Sequence, residues 1–425
     1  MHLENQKQAE LRHVIIVGGG FAGLKWATEL APHSNVRITL IDRNNYQQFQ
    51  PLLYQVATSA LSPSNAAFAF RDIFRSHDNV DVQMDDVVSV NLSERGVTTA
   101  FGKKHQGDFL VLATGSHVNF YGTPGAEHHS FPLYTLQDAE TLRSNILKTF
   151  EAADHDPEKS DGGLLNFVVV GGGPTGVEMA GNLSDMLQRV FRREFRHVGN
   201  TRPQVFLIEM SQSVLGTFAP ASQEYAATAL REHGVDVRLG VAVTQVTRDA
   251  VTLSDGSHIP TKTVVWAAGL KAAAPPQWEL SRLSNLSNGR VEVEADLSVR
   301  GLPGVYVLGD LANSLDDAGK ALPQLAAVAK QAGEQCARNI LAAIAGKPSR
   351  PFVYSDRGTL AMIGRNAAVA ELGKTHHELV GPIAFAAWLG VHAVLLTAAR
   401  ARLEAIVEWA WEYFTGEHPS QLIDR

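Results

Sequence analysis

Cysteine is almost missing from this chain: Cys336 is the only one in 425 residues. One thiol cannot close an internal disulfide or supply a C-x-x-C pair, which excludes a secreted disulfide framework and a dithiol redox relay. Cys336 lies in an Ala-rich helical stretch and reads as an inert buried thiol. Excess positive charge is missing too. With 37 Lys and Arg against 44 Asp and Glu the net charge is −7, so no nucleic-acid partner is expected. Segment 1–12 is polar and lacks the apolar run of a signal peptide, so the chain is expected to stay on the cytosolic side. The pairs His128-His129 and His376-His377 have no cysteine beside them, and adjacent side chains do not converge on one helical face. They read as surface loop residues, and no metal site is expected.

What the chain has in abundance is glycine, 36 residues, as expected where backbone must approach ligands closely, and it is concentrated in two glycine-rich turns. The first is Val14-Ile15-Ile16-Val17-Gly18-Gly19-Gly20-Phe21-Ala22-Gly23, followed by Ile41-Asp42. The second is Phe167-Val168-Val169-Val170-Gly171-Gly172-Gly173-Pro174-Thr175-Gly176, followed by Ile208-Glu209. In each, a β-branched strand enters a G-x-G-x-x-G turn that opens a helix, and an acid ends the next strand. Such glycines let backbone amides approach a pyrophosphate at a helix N-terminus, and the acid accepts hydrogen bonds from a ribose. Two such units in one chain point to electron transfer between two dinucleotides.

The pattern predicts an α/β fold with two Rossmann-type dinucleotide-binding domains, the second inserted into the first. Expected boundaries are 1–125 and 291–378 for the first domain and 126–290 for the second. Strand ends at Thr114-Gly115, Trp266-Ala267-Ala268-Gly269 and Gly309-Asp310 are candidate cofactor crevices, and Glu151 to Gly163 reads as a polar linker. Arg189, Arg192, Arg193, Arg196 and Arg202 read as a solvated helix face. The tail, 379–425, is a helical segment of another kind. Gly381 to Ala399 carries one ionisable residue, His392, but is rich in Ala and Gly, which argues against a spanning helix. Beyond it Leu403, Ile406, Val407, Ala410, Trp411 and Phe414 form one apolar helical stripe, opposite Glu404, Glu408 and Glu412.

These residues resemble the type II NADH:quinone oxidoreductases, the single-subunit NADH dehydrogenases that pump no protons. The resemblance runs nearly end to end and includes Phe49-Gln50-Pro51-Leu52-Leu53-Tyr54-Gln55-Val56-Ala57, the stretch Gly171 to Glu178, and Phe385-Ala386-Ala387-Trp388-Leu389 with His392. It implies that FAD is held by Gly18, Gly20, Phe21, Ala22 and Gly23. Asp42 and Arg43 would meet its adenosine end, Thr114 and Gly115 its path, and Gly309, Asp310 and Ala326 its remaining contacts. It implies NADH on Gly171, Gly173, Pro174, Thr175, Gly176, Glu209 and Gly269. Glu209, with no arginine in the next four residues, favours NADH over NADPH. Hydride would pass from NADH to the FAD N5, and the electrons to a membrane quinone, with Glu178 and Gln331 as the catalytic side chains.

One departure stands out. Many family members carry Ala-Gln-x-Ala-x-Gln where this chain has Ala326-Ala327-Val328-Ala329-Lys330-Gln331, so Ala327 replaces the first glutamine, and Gln324 lies nearly a turn earlier. Two other functions therefore stay open: a soluble NADH-dependent flavin reductase with a different acceptor, and a redox-responsive NADH/FAD-binding interaction protein. The tail either docks peripherally on the cytoplasmic side of the cell membrane or packs as a homodimer contact.

Overall fold

The computed structural model describes residues 11–156, 162–198, 202–273, 278, 289–373, 375–396, 399–418 and 420–423. Segment 1–10 and the middle of the expected linker, 157–161, lie outside them. The longer helices in chain order are α1 (Phe21–Leu30), α2 (Leu136–His155), α3 (Pro174–Met186), α4 (Pro220–Glu232), α5 (Ala326–Ile344), α6 (Gly381–Leu395) and α7 (Ala399–Thr415).

The chain forms two compact units whose bounds differ from the 1–125, 126–290, 291–378 and 379–425 that the motif pattern suggests. Unit 1 is 1–47, 68–117 and 271–355; unit 2 is 48–67, 118–270 and 356–425. Segment 48–67 packs with unit 2 because Leu52, Leu53, Tyr54 and Val56 are buried there and this stretch touches α2 and α3. Residues 356–425 join the same unit rather than standing apart as a tail.

In unit 1 a six-stranded sheet runs in the order 298–299, 302–307, 109–112, 12–17, 36–42, 80–84. All neighbours but the 298–299 edge pair in parallel. Strands buried on both faces read as unbroken apolar runs, which is why 14–17 and 109–112 show no alternation. One face packs on α1 and α5 through Val14, Ile16, Trp26, Ile38, Leu40 and the fully buried Cys336. The other face, Ile15, Val17, Leu110 and Leu112, lies under the antiparallel meander 87–91, 96–99 and 104–106.

In unit 2 a five-stranded parallel sheet runs 131–132, 263–266, 166–170, 204–209, 235–239. Helix α2 begins in a capping box, with the Thr135 hydroxyl accepting from Asp138 N and the Asp138 carboxylate accepting from Thr135 N. It runs to His155, so the first part of the expected linker is helix; Phe150 and Ala153 supply a buried face that polar composition concealed. His128 and His129 sit on one exposed helical turn, 126–129, rather than in a loop. A second antiparallel sheet, 358–364, 367–372 and 377–380, packs on α3, and α6 packs on its middle strand. No described helix is long and apolar enough to cross a membrane.

Candidate functional site

The two glycine-rich turns are built alike. Gly18 and Gly171 have φ of 100° and 110°, and a Cβ at either would strike the backbone of Ala113 or Ala267 at the neighbouring strand end. Gly23 and Gly176 lie so close to the Gly18 and Gly171 carbonyls that a Cβ at either would collide with them. The middle glycines are the opposite case. A Cβ at Gly20 or Gly173 would meet nothing within 4 Å, and no side chain caps α1 or α3. Each turn therefore presents open space at an uncapped helix N-terminus, which is a cradle for a diphosphate.

The acids stand where the strands deliver them. Asp42 accepts from Gly19 N at 2.7 Å and Asn44 N at 2.8 Å, while burial pushes its carboxyl pKa up. Glu209 accepts from Gly172 N at 2.6 Å and Ser211 N at 2.7 Å. Arg43 is exposed and lies 3.4 Å from Asp86.

Around the first turn the structure gathers the other predicted residues of unit 1. Gly309 lies beside Ala22 and Ala329, the latter on α5, which Ala326 opens. The Ser116 hydroxyl donates to Asp310 at 2.7 Å, and Gln324 donates to Ser116 at 3.0 Å. Thr114 donates to Ala273 O at 2.7 Å, next to Gly115. Gln331 is spent differently: its amide donates to Ser355 O and accepts from Ser355 N, both at 2.9 Å. That reciprocal pair makes it a brace for the 355 backbone. Lys330 places its ammonium 5.4 Å from the Phe21 ring centre.

In unit 2, Pro174 and Thr175 are exposed at the mouth of the second turn while Gly176 is buried. Gly269, with φ of 145°, ends the neighbouring strand turn. Glu178, one helical turn into α3, is buried, and its Oε1 accepts from Met362 N and Trp388 Nε1, both at 3.2 Å. Burial outweighs those two donors and raises its pKa to about 8, so the carboxyl is mostly neutral at pH 7. The Tyr54 ring lies edge-on to Trp388, and Asn182 donates to Glu178 O. His392 stacks on Trp388 with ring centres 3.9 Å apart, and burial lowers its pKa to about 4. Trp388 and His392 were visible in the sequence as part of a motif; the Met362 amide carried no signal, because only the folded chain brings it to Glu178.

The tail carries the apolar stripe that the spacing predicts. Leu403, Ile406, Val407, Trp411 and Phe414 are exposed, so the apolar stripe faces outward. Of the acids facing away from it, Glu404 pairs with Arg400 at the surface, but the other two are drawn in. Glu408 accepts from Ser62 N and Oγ, both at 3.0 Å, and Glu412 is withdrawn far enough from water that its pKa rises to about 7. Among the described residues no group of His, Cys, Asp and Glu could hold a metal.

Residues 12–333 match the family model for pyridine nucleotide-disulphide oxidoreductases, and 357–418 match that of the NDH2 C-terminal domain. The chain is 35% identical to a type II NADH:quinone oxidoreductase of Mycobacterium tuberculosis, covering 96% of this chain and 89% of the relative. It is 26% identical to the Haemophilus influenzae enzyme of the same name, over 90% and 93%. NDH2 of Plasmodium falciparum, solved with NADH, shares the fold with a TM-score of 0.86 at 18% identity, over 96% and 100% of the two chains. The sulfide:quinone oxidoreductase of Aquifex aeolicus shares it less closely, at 0.72 and 19%, over 96% of each. The chain belongs to the type II NADH:quinone oxidoreductases within the pyridine nucleotide-disulphide oxidoreductase family.

Proposed function

We propose that this protein oxidises NADH and reduces a membrane quinone, with FAD held by the first glycine-rich turn and NADH exchanging at the second. The observation that carries the reading is the pair of open, uncapped turns, each with an acid bound to its own backbone. When FAD is bound, its isoalloxazine supplies the hydride acceptance and the onward electron transfer.

The chain's own residues would divide the work as follows. Gly18, Gly20, Phe21, Ala22 and Gly23 grip the FAD diphosphate, Asp42 and Arg43 flank its adenosine ribose, and Thr114, Gly115, Gly309, Asp310 and Ala326 line the rest. Gly171, Gly173, Pro174, Thr175, Gly176 and Gly269 take the nicotinamide dinucleotide. Glu209 welcomes its ribose diol and repels a 2′-phosphate. Glu178 holds a proton on Oε2, the oxygen that takes neither hydrogen bond, and releases it as quinone is reduced. Gln331, tied to Ser355, shapes the acceptor side rather than offering a free amide. The outward stripe of α7 and the exposed Ile383 and Val394 of α6 support peripheral docking on the cytoplasmic face of a membrane, with homodimer contact as the other use of that face.

Steady-state assays test the proposal. Glu178→Gln should keep NADH-driven flavin reduction while slowing quinone reduction roughly a hundredfold. Loss of both half-reactions together, or of neither, contradicts the assigned role.

A further inference from the structure

Tyr121 and Gly122 form a tight turn, closed by Thr123 N donating to Phe120 O at 2.9 Å, that carries an exposed aromatic ring. The φ of Tyr121 is 52°, in the left-handed region that side-chain-bearing residues seldom adopt, yet its side chain is 64% exposed. A strained turn at an exposed position persists only when its surroundings dictate it. Here they do. Tyr121 N donates to Asn119 Oδ1 at 2.9 Å, Asn119 N donates to Gly269 O at 3.0 Å, and Trp266 Nε1 donates to Asn119 O at 2.9 Å. Phe120 packs on Trp266 with ring centres 5.7 Å apart. The loop is thus clamped to the carboxyl end of strand 263–266.

The ring it holds reaches Gly269. A Cβ at that residue would run into the Tyr121 hydroxyl, so the absence of a side chain at 269 is what admits the phenol. The hydroxyl itself makes no hydrogen bond among the described residues. An aromatic on an anchored loop, open on one side and with an unused hydroxyl, stands at the strand ends where open α/β sheets bind ligands.

Sheet order says which part of the ligand it meets. The glycine-rich turn follows strand 166–170, Glu209 ends strand 204–209 on one flank, and Gly269 follows strand 263–266 on the other. With the diphosphate on the central turn and the adenosine ribose at Glu209, the far flank receives the opposite end of the dinucleotide.

We propose that the Tyr121 ring is a substrate-contacting platform for the nicotinamide riboside half of NADH. The inference rests on the second turn binding NADH, and the test separates the two. Equilibrium affinities of the FAD-loaded protein for NADH and for ADP-ribose, which lacks the nicotinamide, are measured for the wild type, Tyr121→Phe and Tyr121→Ala. Tyr121→Ala should weaken NADH roughly fivefold, a ring contact's worth, and leave ADP-ribose unchanged, while Tyr121→Phe keeps NADH affinity. Equal weakening of both ligands makes the residue structural and overturns the proposal, as does NADH affinity that survives the loss of the ring. Wild-type protein that binds ADP-ribose and NADH equally tightly also overturns it, and protein that binds neither refutes the nucleotide reading of the second turn itself.

Discussion

Glu178 shows how much a single burial decides. Its carboxyl is driven from the ordinary value of 4.5 to about 8, with desolvation outweighing the Met362 and Trp388 donors. The stability linked to this group is fully present below the unfolded pKa and is lost as pH rises through the folded one. Wild-type stability should therefore fall relative to Glu178→Gln between about pH 4.5 and 8, by at most ~1.4 kcal/mol per pH unit, and level off above. Denaturant unfolding of both proteins across that window checks it; parallel stability curves would mean the carboxyl is ionised in the fold. Glu209 makes a second residue-scale prediction. Replacing it with Gln removes the charge that opposes a 2′-phosphate, so the NADPH-to-NADH ratio of kcat/KM should rise about tenfold, a ~1.4 kcal/mol change. An unchanged ratio places discrimination elsewhere. Glu209 was legible because an acid at the end of an apolar strand is a local pattern, and Glu178 because it follows the second glycine-rich turn by two residues. The partners of Glu178 were not, since they lie 184 and 210 residues away along the chain.

Helix α7 marks the limit of periodicity. The spacing from Leu403 to Phe414 identified one stripe correctly, but periodicity does not say which face meets the protein. Here the small residues Ala401 and Ala405, with Trp409, turn inward. Trp409 Nε1 donates to Gln55 at 2.8 Å, and Glu408 satisfies Ser62, so the polar atoms of this face have partners. The large apolar residues are left outside, where a membrane would cover them. Trp411→Ser with Phe414→Ser should lower partitioning onto liposomes at least tenfold, given ~1.5–3 kcal/mol for each large apolar side chain buried. Sedimentation with vesicles measures it, and undiminished pelleting would assign the stripe to another contact. The first five residues of the expected linker are helix for a related reason: α2 keeps a buried face through Ala153 even though Glu151 and Asp154 make the stretch look like a loop.

Over the whole molecule, the nesting of one dinucleotide unit within another was readable from the two turns and the later Gly309-Asp310 strand end. The assignment of 48–67 and 356–425 to unit 2 was not, because it depends on long-range packing against α2 and α3. The single, fully buried Cys336, whose pKa burial drives up, offers no dithiol step between the nucleotides and the acceptor. The proposed path is therefore NADH to FAD to quinone, with no thiol relay. Anaerobic rapid mixing of the purified FAD-loaded protein with NADH, then with a short-chain quinone, tests this most directly. Fast loss of the oxidised flavin absorbance with NADH and its full return with quinone are expected. Bleaching by NADH that quinone does not reverse would contradict it.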